Sequence, residues 1–154
     1  MKGREATLAR PVAKGSDSAI LCVDDEPRIL AALGRTLGRD YEILRAEDGD
    51  TALRLLEESP IKVVVADQRM PGMSGSELLT EIRRRWPMVG RIILTAYPGQ
   101  EVMVRSLEAE VDFLMSKPWD DEKLRGAIRR LVSEVDRARE IRPGDGGWEL
   151  GGEG

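Results

Sequence analysis

Residues 61–75 read IKVVVADQRMPGMSG. The run Val63-Val64-Val65-Ala66 is continuously apolar, as expected of a strand covered on both faces. It ends on a carboxylate, Asp67, and a loop rich in Met, Pro, Gly and Ser follows. A carboxylate beside a dry core is costly unless a cation or hydrogen bonds hold it. Either Asp67 caps a turn, or a positive charge waits for it.

The chain around this run repeats one order. Ala19–Val23 is a short apolar run that stops at Asp24-Asp25-Glu26-Pro27. Proline suits the first turn of a helix, and acids favour its N-terminus. Ile29, Leu30, Leu33 and Leu37 then follow helical spacing. Residues 41–45 alternate like a strand, and Asp48 is placed to cap a helix whose apolar positions are Ala52, Leu55 and Leu56. The third strand is Ile61–Ala66. Ser74 or Ser76 opens a helix with Leu78, Leu79, Ile82 and Trp86 on one side, stopped at Pro87. Arg91–Thr95 is a fourth strand. A weaker helix over Glu101–Leu107 has Val104 and Leu107 as its expected inner positions. Val111–Met115 is a fifth strand, and Asp120 caps a long helix running to about Ile141. Five strand–helix alternations predict an α/β fold with a parallel sheet and helices on both faces.

Composition narrows the function classes. The 154 residues suffice for one ordinary domain. A net charge of −4 gives no electrostatic case for nucleic acid. No apolar stretch reaches the ~20 residues of a membrane span, and no signal peptide is visible. The cytoplasm is the expected location. Histidine is absent, which excludes His-based acid–base catalysis and the usual zinc catalytic sites. Cys22 is the single cysteine, and its apolar surroundings fit a core residue better than a reactive thiol. Residues 1–17 are expected to form a flexible extension, 18–134 the domain, and 135–154 a helix extension and a disordered Gly-rich tail.

In an open parallel sheet the working site lies at the carboxyl ends of the strands. Strand 1 delivers Asp24 and Asp25 there, strand 3 Asp67, strand 4 Thr95 and strand 5 Lys117. One acid after a strand is usually a turn residue. Four strands placing polar groups on one edge form a constellation. Clustered carboxylates repel and must hold a cation or protons, and oxygen ligands suit Mg²⁺. Lysine offers a compact positive charge to a phosphoryl oxygen, and a carboxylate can serve as a nucleophile.

The stretches VDDEP (23–27), VVVADQRMPGMSG (63–75), LTAY (94–97) and SKPWDDEKLR (116–125) together resemble the receiver domain of two-component response regulators, the CheY-like family. Their wording is similar to receivers that precede HD-GYP cyclic-di-GMP phosphodiesterase or hydrogenase-regulator outputs. The resemblance implies a flavodoxin-like, three-layer (βα)5 fold with strand order 2-1-3-4-5 and an extended last helix. It implies that Asp67 accepts a phosphoryl group in a Mg²⁺-dependent phosphorelay. Asp25, Asp67 and the backbone carbonyl of Arg69 would ligate the Mg²⁺, with Asp24 acting directly or through water. Lys117 would pair with the phosphate, Thr95 would turn inward to report it, and small Ala96 would leave room. A cis bond is expected at Lys117-Pro118. The implied partners are a sensor histidine kinase or phosphotransfer protein and a downstream effector. A homodimer would use the fourth helix–fifth strand–fifth helix face or the extended last helix. The expected role is a phospho-accepting signalling domain, stand-alone or cut from a longer protein, with self-catalysed phosphotransfer and dephosphorylation only.

The sequence departs from the family pattern at one switch position. Leu114 stands where the family usually has Tyr or Phe, and Phe113 would point the opposite way. Arg69 and Tyr97 border the phosphate position in similar proteins, or are merely solvated. In the last helix, Leu124, Ile128, Leu131, Val135 and Ala138 form a stripe, and past about Val132 the helix is expected to leave the domain. Two other classes fit less well. An Asp-nucleophile phosphatase wants a second Asp where Arg69 stands. A pseudo-receiver, acting without phosphorylation, usually lacks one of the acids or the lysine. A P-loop is absent, and an acid cluster would repel a flavin phosphate.

Overall fold

Strands with apolar residues on both faces must sit between layers of helices, and they do. The computed structural model describes residues 19–140. The segments 1–17 and 142–154, including Trp148, lie outside the described residues. The strands are β1 (Ala19–Val23), β2 (Glu42–Ala46), β3 (Val63–Ala66), β4 (Gly90–Thr95) and β5 (Phe113–Ser116). The helices are α1 (Pro27–Leu37), α2 (Gly49–Glu58), α3 (Gly75–Arg85), α4 (Gln100–Glu108) and α5 (Asp121–Glu140). The sheet is wholly parallel, ordered β2-β1-β3-β4-β5.

The pleat divides each strand between two cores. Leu21, Val23, Val64, Ala66 and Ile93 face Leu55, Leu56, Leu78, Leu79, Ile82 and Val102 of α2, α3 and α4. Ile20, Cys22, Val63, Val65, Ile92 and Leu94 face Leu30, Leu33, Leu37, Leu124, Ile128 and Leu131 of α1 and α5. Cys22 is buried and its thiol is pushed up to about 12, mainly by desolvation, so it is the inert core residue expected. Local signals set the helix starts. Pro27 opens α1. Asp48 accepts the Thr51 N–H at 2.8 Å. Ser74 and Glu77 form a reciprocal capping box on α3, a device worth about 0.5–2 kcal/mol.

Two expectations are corrected. Val104 and Leu107 are not inner positions of α4: they are 48% and 75% exposed. The helix buries Val102 and Ser106 instead. The sequence holds two stripes, and small polar Ser106 hides the buried one. The long helix also does not leave the domain after Val132. Val135 is buried, fully buried Lys62 pairs with Asp136, and an Arg139 Nη donates to the Ile61 carbonyl at 3.4 Å. The stripe ends at Val135, since Ala138 is exposed. Strand limits shift by one or two residues, and β5 begins at Phe113 rather than Val111.

The reassigned face of α4 is testable by urea denaturation. Leu107→Ser is expected to change stability by no more than about 0.5 kcal/mol, and Val102→Ala to cost about 1–3 kcal/mol.

Candidate functional site

The hydrogen-bond ladder of the sheet runs one residue past three strand ends. Asp24 N–H donates to the Ala46 carbonyl at 3.1 Å, Asp67 N–H to Val23 at 3.0 Å, and Lys117 N–H to Thr95 at 2.9 Å. These bonds hold the three backbones at the carboxyl edge before any side chain acts. Carboxylate oxygens of Asp24, Asp25 and Asp67 then lie within 4.8 Å of one another. Lys117 Nζ donates to Asp24 Oδ2 at 2.7 Å and stands 3.5 Å from Asp67 Oδ1. The Lys117-Pro118 bond is cis. Asp24, 2% exposed, also accepts the Glu26 N–H at 2.9 Å. Its charge is thus answered within the protein, whereas Asp25 is exposed.

The electrostatics follow from this division. Burial pushes the Asp67 carboxyl above its ordinary value. Lys117 pulls it back, and Asp24 pushes it up again. Burial works against the Lys117 charge, but its hydrogen bond to Asp24 and the two carboxylates outweigh that, so its pKa is raised. Three carboxylates against one ammonium leave a local excess of negative charge. Close-set hard oxygen donors with such an excess fit a small divalent cation such as Mg²⁺.

The remaining sequence-selected residues gather around the same cleft, a space of about 870 Å³ bordered by Asp25, Asp67, Arg69, Ala96, Tyr97 and Lys117. Thr95 is fully buried, and its Oγ1 accepts the Tyr97 N–H at 3.3 Å. Arg69 lies 4.4 Å over the Tyr97 ring, so these two are not simply solvated. Phe113 and Leu114 pack into opposite cores, as alternation required. At the far wall, Trp119 Nε1 donates to Thr36 Oγ1 at 3.2 Å and to Asp121 Oδ1 at 3.1 Å.

Gln68 and Gly75 escape sequence reasoning. The buried Gln68 side chain accepts the Ser76 N–H at 2.8 Å and donates to Ser76 Oγ at 3.1 Å. It clamps the loop between Asp67 and α3. Ser76 thus serves the loop, while Ser74 caps the helix. A Cβ on Gly75 would stand 2.3 Å from the Asp67 carbonyl oxygen, so only glycine fits there. The signal available was a Gln next to the acid and a Gly at the helix start, neither distinctive alone.

Comparison with known proteins places this geometry. The family model "Response regulator receiver domain" matches residues 20–129. The chain is 38% identical over 116 residues to the hydrogenase transcriptional regulatory protein HoxA of Cupriavidus necator, covering 75% of this chain and 24% of that protein. It is 39% identical over 122 residues to the transcriptional regulatory protein KdpE of Mycobacterium tuberculosis, covering 76% and 54%. The chain therefore spans about a quarter to a half of the length of these relatives. The signal receiver domain of an HD domain-containing protein from Pseudomonas fluorescens Pf-5 superposes with a TM-score of 0.75 at 32% identity, covering 78% of this chain and 98% of that one. Among the described residues no helix is long and apolar enough to cross a membrane.

Two variants test the site's construction. Gln68→Leu leaves the buried Ser76 N–H unpaired, and is expected to cost about 1–3 kcal/mol by denaturant melting. In metal-free buffer, Asp67→Asn is expected to raise the melting temperature, since it removes a carboxylate whose ionised form folding disfavours. A raised folded pKa means this cost is present above that pKa. The gap between Asp67→Asn and the unaltered protein should therefore close as pH falls through it.

Proposed function

The chain belongs to the response regulator receiver domain family, and from that premise we propose that Asp67 is its phosphoryl acceptor, in a Mg²⁺-dependent transfer from a partner's phosphohistidine. The observation that carries this reading is the Asp67 carboxylate at an open cleft, 3.5 Å from Lys117 Nζ and grouped with Asp24 and Asp25. Asp67 attacks phosphorus, the P–N bond to the donor imidazole breaks, and the donor ring keeps the electron pair. Lys117 stands ready to follow the new phosphoryl oxygens, its ammonium held meanwhile by Asp24. Asp25, Asp67 and the Arg69 carbonyl are the candidate ligands of the ion, with Asp24 supporting them. Bound Mg²⁺ would supply charge neutralisation and alignment of the phosphoryl oxygens. Thr95 would turn its hydroxyl to the phosphoryl group, and Ala96 leaves the space for it.

The proposed donor is a sensor histidine kinase or phosphotransfer protein, and the proposed readout is a surface around α4, β5 and α5. The apolar side chains that α4 exposes, Met103, Val104 and Leu107, support that surface as the place where an effector or a second copy docks.

Incubation with Mg²⁺ and acetyl phosphate, followed by intact mass, tests the acceptor. One phosphoryl adduct is expected, abolished by Asp67→Asn and by a chelator. No adduct from a chain that demonstrably binds Mg²⁺ would replace this reading with a phosphorylation-independent interaction module.

A further inference from the structure

Far from the acid cleft, the last turns of α5 and the residue just ahead of β2 enclose a groove of about 450 Å³, bordered by Tyr41, Arg129, Val132, Ser133 and Arg137. Residues 129, 133 and 137 step by four and so share one helix face. The Tyr41 ring is partly buried against the α1/α5 core, and Val132 is buried beneath the groove. Two acids also line it, Asp136 and Glu140. Asp136 is engaged by Lys62, and the neighbouring Glu134 by Arg130. Arg129 and Arg137 are exposed, and among the described residues neither has a carboxylate within ion-pair distance. The groove is thus a partly apolar slot flanked by two available cations, with Glu140 alone against them.

We propose that this groove is a docking site for the chain's own segment Asp145–Glu149, which folds back along α5 with Trp148 in the slot, Asp145 on Arg137 and Glu149 on Arg129. Charge and spacing both argue for this occupant. Residues 145–154 read DGGWELGGEG, with three acids and no lysine or arginine. The stretch between α5 and this segment contains Pro143-Gly144; proline does not continue a helix, and glycine permits a reversal. Asp145 follows Glu140 by five residues, and Arg137 lies only ~5 Å back along the helix axis from Glu140. The charges then match in register. Arg129 and Arg137 stand ~12 Å apart along the helix, and four extended residues from Asp145 to Glu149 span ~13–14 Å. An antiparallel course places Trp148 between the two ion pairs, over Tyr41 and Val132. An indole supplies a large apolar surface at small entropic cost, which suits it as an anchor. The docked segment would cover the exposed side of the last turns of α5, the same side a second copy or an effector would need to pack against that part of the helix. This proposal is independent of the phosphoryl chemistry.

The test uses the full chain labelled with 5-fluorotryptophan. The chain has three tryptophans, so three ¹⁹F signals are expected, and Trp148→Phe identifies the one of interest. In the unaltered chain the Trp148 signal should stand away from that of the free peptide Asp-Gly-Gly-Trp-Glu-Leu, at every protein concentration. An exposed ion pair is worth about two- to fivefold in an equilibrium, so reversing both pairs should weaken docking about tenfold or more. Arg129→Glu with Arg137→Glu should therefore return the Trp148 signal to the peptide position, while the Trp86 and Trp119 signals stay in place and report an intact fold. Asp145→Arg with Glu149→Arg changes nothing in the described domain and should do the same. All four substitutions together should restore the displaced signal, a rescue that only direct pairing gives. High salt should shift the unaltered chain towards the peptide position. A Trp148 signal that matches the peptide in the unaltered chain, or one that neither reversal moves, overturns the proposal. A displacement that disappears on dilution overturns it in favour of docking on a second copy.

Discussion

Three carboxylates share one ammonium at the carboxyl edge of the sheet, and that charge imbalance organises everything around it. It exists because the ladder continues past β1, β3 and β5, placing Asp24, Asp67 and Lys117 by backbone bonds. The side chains then have little freedom to avoid one another. Lys117 takes Asp24 at 2.7 Å and leaves Asp67 at 3.5 Å, so Asp67 is only partly compensated. An acid in that position stays responsive to an added cation and to an electrophile.

The supporting architecture keeps this arrangement rigid. The Gln68–Ser76 clamp holds the loop behind Asp67, and Gly75 lets the first turn of α3 approach the Asp67 carbonyl. Both devices act on the backbone on either side of Arg69. The opposite edge of the sheet is tied with equal care. Lys62 meets Asp136 there, and Arg91 donates to the Val89 and Glu110 carbonyls at 3.0 Å each. One edge is spent on stability and the other keeps its charges available.

The fifth strand departs from the family pattern, while the acid edge keeps it. Phe113 belongs to the α1/α5 core and Leu114 to the opposite one, so β5 presents no ring on the side where the family pattern places one. Tyr97, on the loop after β4, borders the Asp67 cleft instead and is stacked on Arg69. The exposed stripe of α4 follows directly along the chain.

How much was legible in sequence depended on range. Residues whose role is set by chain-local periodicity or by position after an apolar run were readable. The five strands, the cap at Asp48, a helix start at Ser74 or Ser76, and the edge positions of Asp24, Asp25, Asp67, Thr95 and Lys117 all belong here, because pleat and helical period are properties of the chain itself. The resemblance carried the strand order. Tertiary structure decided the rest. It chose between two plausible stripes on α4, since a nine-residue helix takes its rotation from what it packs against. It kept α5 docked to Val135 through a partner, Lys62, far away in sequence. It joined Gln68 to Ser76, Lys117 to Asp24, and Arg69 to Tyr97. Each of these is a pairing between side chains whose types are common and whose meeting only the packed fold arranges.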